Sequence, residues 1–103
     1  MLNSKQRAYL RGLGNKIPAL YQIGKDGINE NMVKLIEDAL EANELIKVHV
    51  LENSLMDTRE ACFELAERAG ADSVQIIGNK FILYKESVNN KKIELPIATK
   101  KKR

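Results

Sequence analysis

The segment Gly24-Lys25-Asp26-Gly27 has the residue types and spacing best suited to holding a ligand. Two glycines three positions apart let the backbone turn tightly and let a ligand approach the main chain without a β-carbon in the way. The helix predicted to follow has free amides and a partial positive charge at its first turn, which favour an anion such as phosphate. Lys25 adds a mobile cation. The segment predicts a phosphate-binding loop, in which Asp26 opposes an anion unless its carboxylate points away or caps the helix.

The Gly-x-x-Gly spacing is similar to the loop with which KH domains hold a nucleic-acid backbone. The motif is short, and an ordinary tight turn is the alternative interpretation. We expect further phosphate contacts from basic residues of the first helix and of the last strand, namely Lys5, Arg7, Arg11, Lys80 and Lys85. Each of them alone could be a solvated surface charge, so their contribution to binding would be collective.

Aromatic residues that could stack on bases are few. The chain has three tyrosines and two phenylalanines, and its core needs aromatic residues too. Tyr9, Tyr21 and Tyr84 are the candidates for stacking, with Tyr9 first among them. This scarcity favours recognition of backbone and shape over reading of individual bases.

The chain offers little for catalysis or metal binding. Its one histidine, His49, lies on a predicted strand beside Lys47 with no cysteine or second histidine nearby, so we interpret it as a surface residue. Cys62, the one cysteine, falls among alanines and leucines at helical spacing and is interpreted as a small buried residue. The carboxylates follow the outer faces of helices. We therefore expect no enzyme activity, no metal site and no cofactor.

The charges are separated along the sequence in a way that the net charge of +3 does not reveal. Residues 1–27 carry five Lys/Arg against one Asp, a net of +4, and residues 73–103 carry eight against two Asp/Glu, a net of +6. Between them, residues 28–72 carry four against eleven, a net of −7. If the basic ends meet in the fold, they form a positive face with a negative back, as expected of a nucleic-acid-binding protein. The alternative is that these charges are solvated surfaces.

Length and hydropathy favour one small cytosolic domain. A chain of 103 residues that is 44% apolar can close a single core, and no stretch approaches the roughly 20 apolar residues that span a bilayer. Residues 1–11 are polar and basic, unlike a signal peptide. We expect a monomeric domain over residues 1–96. Residues 97–103, which end in Lys100-Lys101-Lys102-Arg103, are expected to form a disordered basic tail.

The first half of the chain predicts two helices, each followed by a strand. Ser4 can cap a first helix that runs to about Gly14, and the apolar run at residues 18–23 predicts a strand with proline at its entrance. Asn29 is a good N-cap for a second, acidic helix, with Ile28 and Val33 spaced as a hydrophobic staple. The alternation of apolar and polar residues over 45–51 predicts the second strand.

The second half predicts one helix and a hairpin. Asp57 and Glu60 form a capping box for the third helix, which ends at Gly70. The apolar runs at residues 73–77 and 80–84 are joined by Gly78-Asn79, a connection that favours a tight hairpin. The order is α-β-α-β-α-β-β, and the strand–helix–strand units require crossovers. We therefore predict a layered α/β domain with three helices and a four-stranded mixed sheet.

Six short blocks, in this order and spacing, resemble a CRM domain, the chloroplast RNA splicing and ribosome maturation family, in its bacterial single-domain form. The resemblance covers about residues 1–96, and the blocks are Lys5-Gln6-Arg7, Tyr9-Leu10-Arg11, Gln22-Ile23-Gly24-Lys25-Asp26-Gly27, Glu44-Leu45-Ile46-Lys47-Val48, Val74-Gln75-Ile76-Ile77-Gly78 and Leu83-Tyr84-Lys85. It implies a fold similar to the C-terminal domain of translation initiation factor 3. It also implies binding of ribosomal RNA in precursors of the large ribosomal subunit, with Gly24, Lys25 and Gly27 in contact with RNA.

A second hypothesis belongs to a different functional class. The acidic second and third helices could bind a basic partner such as a ribosomal protein, so that the chain would be a protein-interaction module. In that case Glu37, Glu41 and Glu64 would carry the binding rather than Lys25, Arg7 and Arg11. The two hypotheses differ in their dependence on salt and on these substitutions.

Overall fold

Three helices and four strands follow one another in the predicted order. The computed structural model describes residues 2–96, and the predicted basic tail lies outside the described residues. The elements are α1 (Ser4–Gly14), β1 (Ala19–Ile23), α2 (Glu30–Asn43), β2 (Leu45–Val50), α3 (Thr58–Ala69), β3 (Asp72–Ile77) and β4 (Lys80–Tyr84). Each strand boundary lies within one residue of its predicted position.

The strands form one mixed sheet in the order β1-β2-β4-β3. β1 and β2 are parallel and are joined by the crossover through α2, whereas β4 is antiparallel to both β2 and β3. The last strand therefore lies inside the sheet, and β1 and β3 form its edges. The predicted fold class is confirmed.

The helices cover the sheet unequally on its two faces. α2 and α3 pack on one face over a core that includes Ile36, Leu65 and Phe81. Cys62 is buried in this core, and burial raises the pKa of its thiol to about 11. α1 alone packs on the other face, where Leu10 contacts a second cluster. This face is called the α1 face below.

The helix ends follow the predicted capping pattern with one exception. α1 is capped by Asn3 rather than Ser4: Oδ1 of Asn3 accepts from Gln6 N at 2.8 Å, and Gln6 Oε1 accepts from Asn3 N at 3.2 Å. The prediction of Ser4 was wrong because Gln6 lies three residues after Asn3, where it completes a capping box. The caps Asn29 and Asp57 are confirmed.

Residues 85–96 have no regular secondary structure, yet they are fixed to the C-terminal end of α2 by two carboxylates. Glu44 is fully buried and accepts from the backbone N–H groups of Ser87 at 2.7 Å and of Lys92 and Ile93 at 2.6 Å. Glu41 accepts from three further donors of the segment, which are Ser87 Oγ at 2.9 Å, Val88 N at 3.0 Å and Asn89 N at 2.9 Å. We call residues 85–96 the C-terminal strap.

Both carboxylates are held in their charged form. Burial works to raise the pKa of Glu44, but the hydrogen bonds from three strap amides outweigh it and hold that pKa below its ordinary value. The amides of Val88 and Asn89, together with the Ser87 hydroxyl, lower the pKa of Glu41. No local sequence pattern predicted the structure of the chain from Val88 onward, because the contacts that fix this segment join residues more than forty positions apart.

α1 lies so close to the sheet that a glycine is needed at one position. A β-carbon on Gly14 would lie 2.5, 3.2 and 3.4 Å from Cδ1, Cγ2 and Cγ1 of Ile82. Ile82 is fully buried, so the whole side chain would have to shift. We expect Gly14→Ala to lower the free energy of unfolding by about 1–3 kcal/mol.

Gly12, on the same helix, is the matched control, because a β-carbon there meets nothing within 4 Å. Gly12→Ala should raise the free energy of unfolding by about 0.5–1 kcal/mol through helix propensity alone. Urea denaturation followed by circular dichroism measures both variants. Equal stability of the two would contradict the close approach of α1 to Ile82.

Candidate functional site

The segment Gly24-Lys25-Asp26-Gly27 forms a turn at the end of β1. Gly27 N donates to Gly24 O at 3.1 Å, and Gly27 has φ of 66°, which accounts for the second glycine. Lys25 and Asp26 occupy the two central positions and are exposed. Within residues 2–96, their amides donate to no protein group. The turn therefore presents two backbone N–H groups and one ammonium group to solvent.

The first glycine of the turn is not explained by packing. A β-carbon on Gly24 would lie 3.6 Å from Asn53 Oδ1 and 3.7 Å from Leu51 Cδ1, which are ordinary contacts. Gly24 also has no positive φ. A side chain at this position would mainly obstruct whatever approaches the turn from solvent.

The start of α2 is less available to an anion than the sequence suggested. The Asn29 side chain accepts from Met32 N at 2.9 Å, and Glu30 adds a negative charge in the first turn. Asp26 is not the cap of this helix. An anion at the turn would therefore meet the turn's own amides and Lys25 rather than the helix end.

α1 places two of the predicted basic residues on one of its flanks. The Arg7 guanidinium donates to Ser73 O on the edge strand β3, and Arg11 lies one helical turn further along the same flank. The opposite flank contacts the C-terminal strap, where Gln6 Nε2 donates to Pro96 O at 3.1 Å. Lys5 is exposed on the outer side of α1, away from the sheet.

Lys80 and Lys85 lie at opposite ends of β4. Lys80 begins the strand at the end of the sheet that carries the Gly24–Gly27 turn. Two hydrogen bonds at the end of β2 show this: Leu51 N donates to Ile23 O at the end of β1, at 2.9 Å, and Val50 N donates to Asn79 O just before Lys80, at 2.7 Å. Lys85 follows the strand at the far end, where its Nζ donates to Ala69 O at 3.2 Å at the C-terminus of α3. The structure thus separates Lys85 from the other predicted contacts.

The three tyrosines differ in their exposure. Tyr84 is buried in the core beneath α1, and burial together with the nearby Glu44 and Glu86 carboxylates raises its pKa. Tyr21 packs partly buried against the core beneath α2 and α3. Tyr9 is 42% exposed on the outer side of α1. Of the tyrosines, only Tyr9 is open to a large partner.

Many carboxylates of the acidic segment lie on the other side of the sheet, on α2 and α3. Some of those proposed to bind a basic partner are already engaged: Glu41 holds the C-terminal strap, and Glu64 pairs with Arg68 at 3.2 Å. Glu37 is exposed. The basic flank of α1 and the acidic helices thus occupy opposite layers.

The described residues contain no group of three or more His, Cys, Asp or Glu side chains placed to hold a metal ion. Across residues 2–96, every helix is too short or too polar to cross a membrane.

Comparison with known proteins gives one consistent result. Residues 2–85 match the sequence profile of the CRS1 / YhbY (CRM) domain. The chain is 47% identical over 96 residues to the Bacillus subtilis protein named "Probable RNA-binding protein YqeI", covering 93% of this chain and 100% of that protein. It is 33% identical over 96 residues to a Haemophilus influenzae protein named "RNA-binding protein", covering 92% and 95% of the two chains.

A solved structure has the same fold. The solution structure of the hypothetical protein SAV1595 from Staphylococcus aureus superposes with a TM-score of 0.78 at 52% sequence identity. The superposition covers 93% of this chain and 100% of that one. The arrangement of three helices on a four-stranded mixed sheet is therefore shared with a protein of similar sequence.

Proposed function

The chain belongs to the CRS1 / YhbY (CRM) domain family, and on that basis we propose that it is a non-enzymatic RNA-binding protein of the cytosol. Its RNA is ribosomal RNA in precursors of the large ribosomal subunit, where the protein acts as an assembly factor. The names of its relatives support the binding of RNA. The ribosomal target follows from the resemblance to the CRM family described above.

The observation that carries this proposal is the position of the basic groups relative to the turn. The exposed Lys25 lies at the same end of the sheet as Lys80, and the flank of α1 bearing Arg7 and Arg11 lies on the side opposite the acidic helices. We call the surface formed by Gly24, Lys25, Gly27, Lys80, Arg7 and Arg11 the basic surface. Lys5 lies at its border, and Lys85 is outside it.

An assembly factor of this kind needs no catalytic group, because phosphate contacts alone can hold the protein on its RNA. Phosphate contacts fix the register and orientation of a protein on RNA, and they provide most of the affinity for any nucleic acid. The protein-interaction alternative would need the α2 and α3 carboxylates to be free. Glu41 is committed to the C-terminal strap by three hydrogen bonds, so we rank this alternative second.

Crosslinking in cells identifies the RNA. We expect ultraviolet crosslinking of the full chain, followed by sequencing of the attached RNA, to enrich large-subunit ribosomal RNA and its unprocessed flanks over other transcripts. Sucrose-gradient fractionation should place the protein with particles that precede the mature large subunit. Recovery of protein crosslinks to a basic ribosomal protein, without RNA, would reject the proposal in favour of the second hypothesis.

A further inference from the structure

One half of the α1 face is left open. α1 covers the half that contains Leu45, Ile82 and Tyr84. At the other end of the sheet, four side chains on this face form one row across the strands. Gln22 on β1 pairs with His49 on β2, His49 pairs with Lys80 on β4, and Lys80 pairs with Ile77 on β3. We call Gln22, His49, Lys80 and Ile77 the sheet row. It crosses all four strands over about 14 Å.

The sheet row is accessible to a ligand. Gln22 and Lys80 are exposed, Ile77 is 44% exposed, and His49 is half-buried between its two neighbours. Gln22 also lies two residues before Gly24, so one end of the row continues into the Gly24–Gly27 turn. The row is therefore an extension of the basic surface across the sheet.

The chemistry of the open half favours a polyanion that also has flat, polar rings. The sheet row includes Lys80 but no carboxylate, and Lys47 lies in the next row, where it pairs with Ile82. The side-chain amide of Gln22 is exposed and can both donate and accept hydrogen bonds. His49 contributes the only aromatic ring of the row, and Ile77 gives an apolar contact.

From this arrangement we infer that the sheet row binds unpaired nucleotides of the RNA, with the His49 ring stacking on a base. The inference rests on the proposed function, since it concerns the same RNA. Only unpaired nucleotides fit, because the faces of paired bases are covered by their neighbours in the duplex, whereas unstacked bases can lie on an aromatic ring. Lys80 neutralises a phosphate, and Gln22 donates to a base edge or a ribose hydroxyl.

Binding to two labelled RNAs tests the inference. The probes are a stem–loop of large-subunit ribosomal RNA with an unpaired internal loop, and a fully paired duplex of the same length. We expect His49→Ala to weaken binding to the stem–loop about tenfold, within the range for loss of one base–aromatic stack, and to leave duplex binding unchanged. His49→Phe, which keeps a ring, should retain most of the affinity, and His49→Lys, which keeps only a positive charge, should not.

The matched control removes an aromatic ring from the opposite layer. Phe63 on α3 is 47% exposed beneath Arg59, and Phe63→Ala should leave binding to both RNAs unchanged. Thermal melting of every variant separates loss of binding from loss of fold.

A second measurement needs no substitution. The untagged chain contains one histidine, so its imidazole gives a single set of ring signals by nuclear magnetic resonance. These signals should move on addition of the stem–loop, by the ring current of a stacked base, and stay in place on addition of the duplex.

The outcomes separate the two proposals. Unchanged stem–loop affinity in a folded His49→Ala protein, or unmoved imidazole signals, would overturn the inference while leaving the basic surface as the RNA site. An equal loss of affinity for both RNAs would show that His49 contacts the RNA backbone rather than a base, and this result would also overturn the inference. Failure of the wild-type protein to bind either RNA would overturn the proposed function itself.

Discussion

Lys25→Glu is expected to lower the affinity for structured ribosomal RNA by about 10- to 100-fold, the cost of losing one charged contact and placing a like charge opposite a phosphate. Lys25 is exposed at a central position of the turn and makes no hydrogen bond or ion pair within residues 2–96, so its replacement should leave the fold intact. Fluorescence anisotropy titrations over a series of salt concentrations measure both the affinity and its salt dependence.

The salt dependence distinguishes a phosphate contact from an indirect effect. If the basic surface engages about four to six phosphates, the slope of log affinity against log salt should be about −3 to −5, and Lys25→Glu should flatten it by nearly one unit. Lys34→Glu is the control, because Lys34 is exposed on α2, which packs on the face of the sheet opposite the α1 face. Wild-type affinity in a folded Lys25→Glu protein would exclude the turn as an RNA contact.

The second large effect concerns stability. Glu44→Gln is expected to lower the free energy of unfolding by about 3 kcal/mol, because it removes a buried charge on which three amide donors converge. The new side-chain amide would place an N–H donor against those backbone donors. Glu37→Gln, at an exposed position on the same helix, should change the free energy of unfolding little. Urea denaturation near neutral pH measures both variants.

The same carboxylate makes stability depend on pH. In the folded protein the pKa of Glu44 is lowered from its ordinary value of 4.5, which the unfolded chain retains. Its contribution to stability is therefore complete above that value and is lost as the pH falls through the folded pKa. Wild-type protein should lose stability steeply in this acidic range, and Glu44→Gln less steeply. If the free energy of unfolding fell equally steeply with pH in the wild type and in Glu44→Gln, the charge of Glu44 would not be what holds the C-terminal strap.

Much of the fold could be predicted because its signals are local. The Asp57–Glu60 capping box, the Asn29 cap and the Gly78-Asn79 hairpin each depend on residues a few positions apart. Apolar periodicity then identified the buried faces. The one misplaced cap, at Ser4, was wrong by a single residue because three consecutive polar residues offered competing starts for the helix.

The parts that could not be predicted depend on long-range pairing. Sequence patterns gave a mixed sheet but not the order of its strands, and they placed Glu41 on a solvated helix exterior, although it binds residues 87–89. Lys80 and Lys85 were both expected to contact phosphate, yet they lie at opposite ends of β4. The sheet row around His49 is not visible in the sequence, because Gln22 and Lys80 become its neighbours only after the strands pair.

The central position of the last strand has a consequence for synthesis of the chain. β3 touches the rest of the sheet only through β4, so a nascent chain that ends before Lys80 can pair β1 with β2 but has no place for β3. The β3–β4 hairpin must form and then dock on β2, which requires closure of a long loop. Folding during translation should therefore be delayed until residues 80–84 have left the ribosomal tunnel, and a stalled chain would expose the edge of β2 to unwanted pairing.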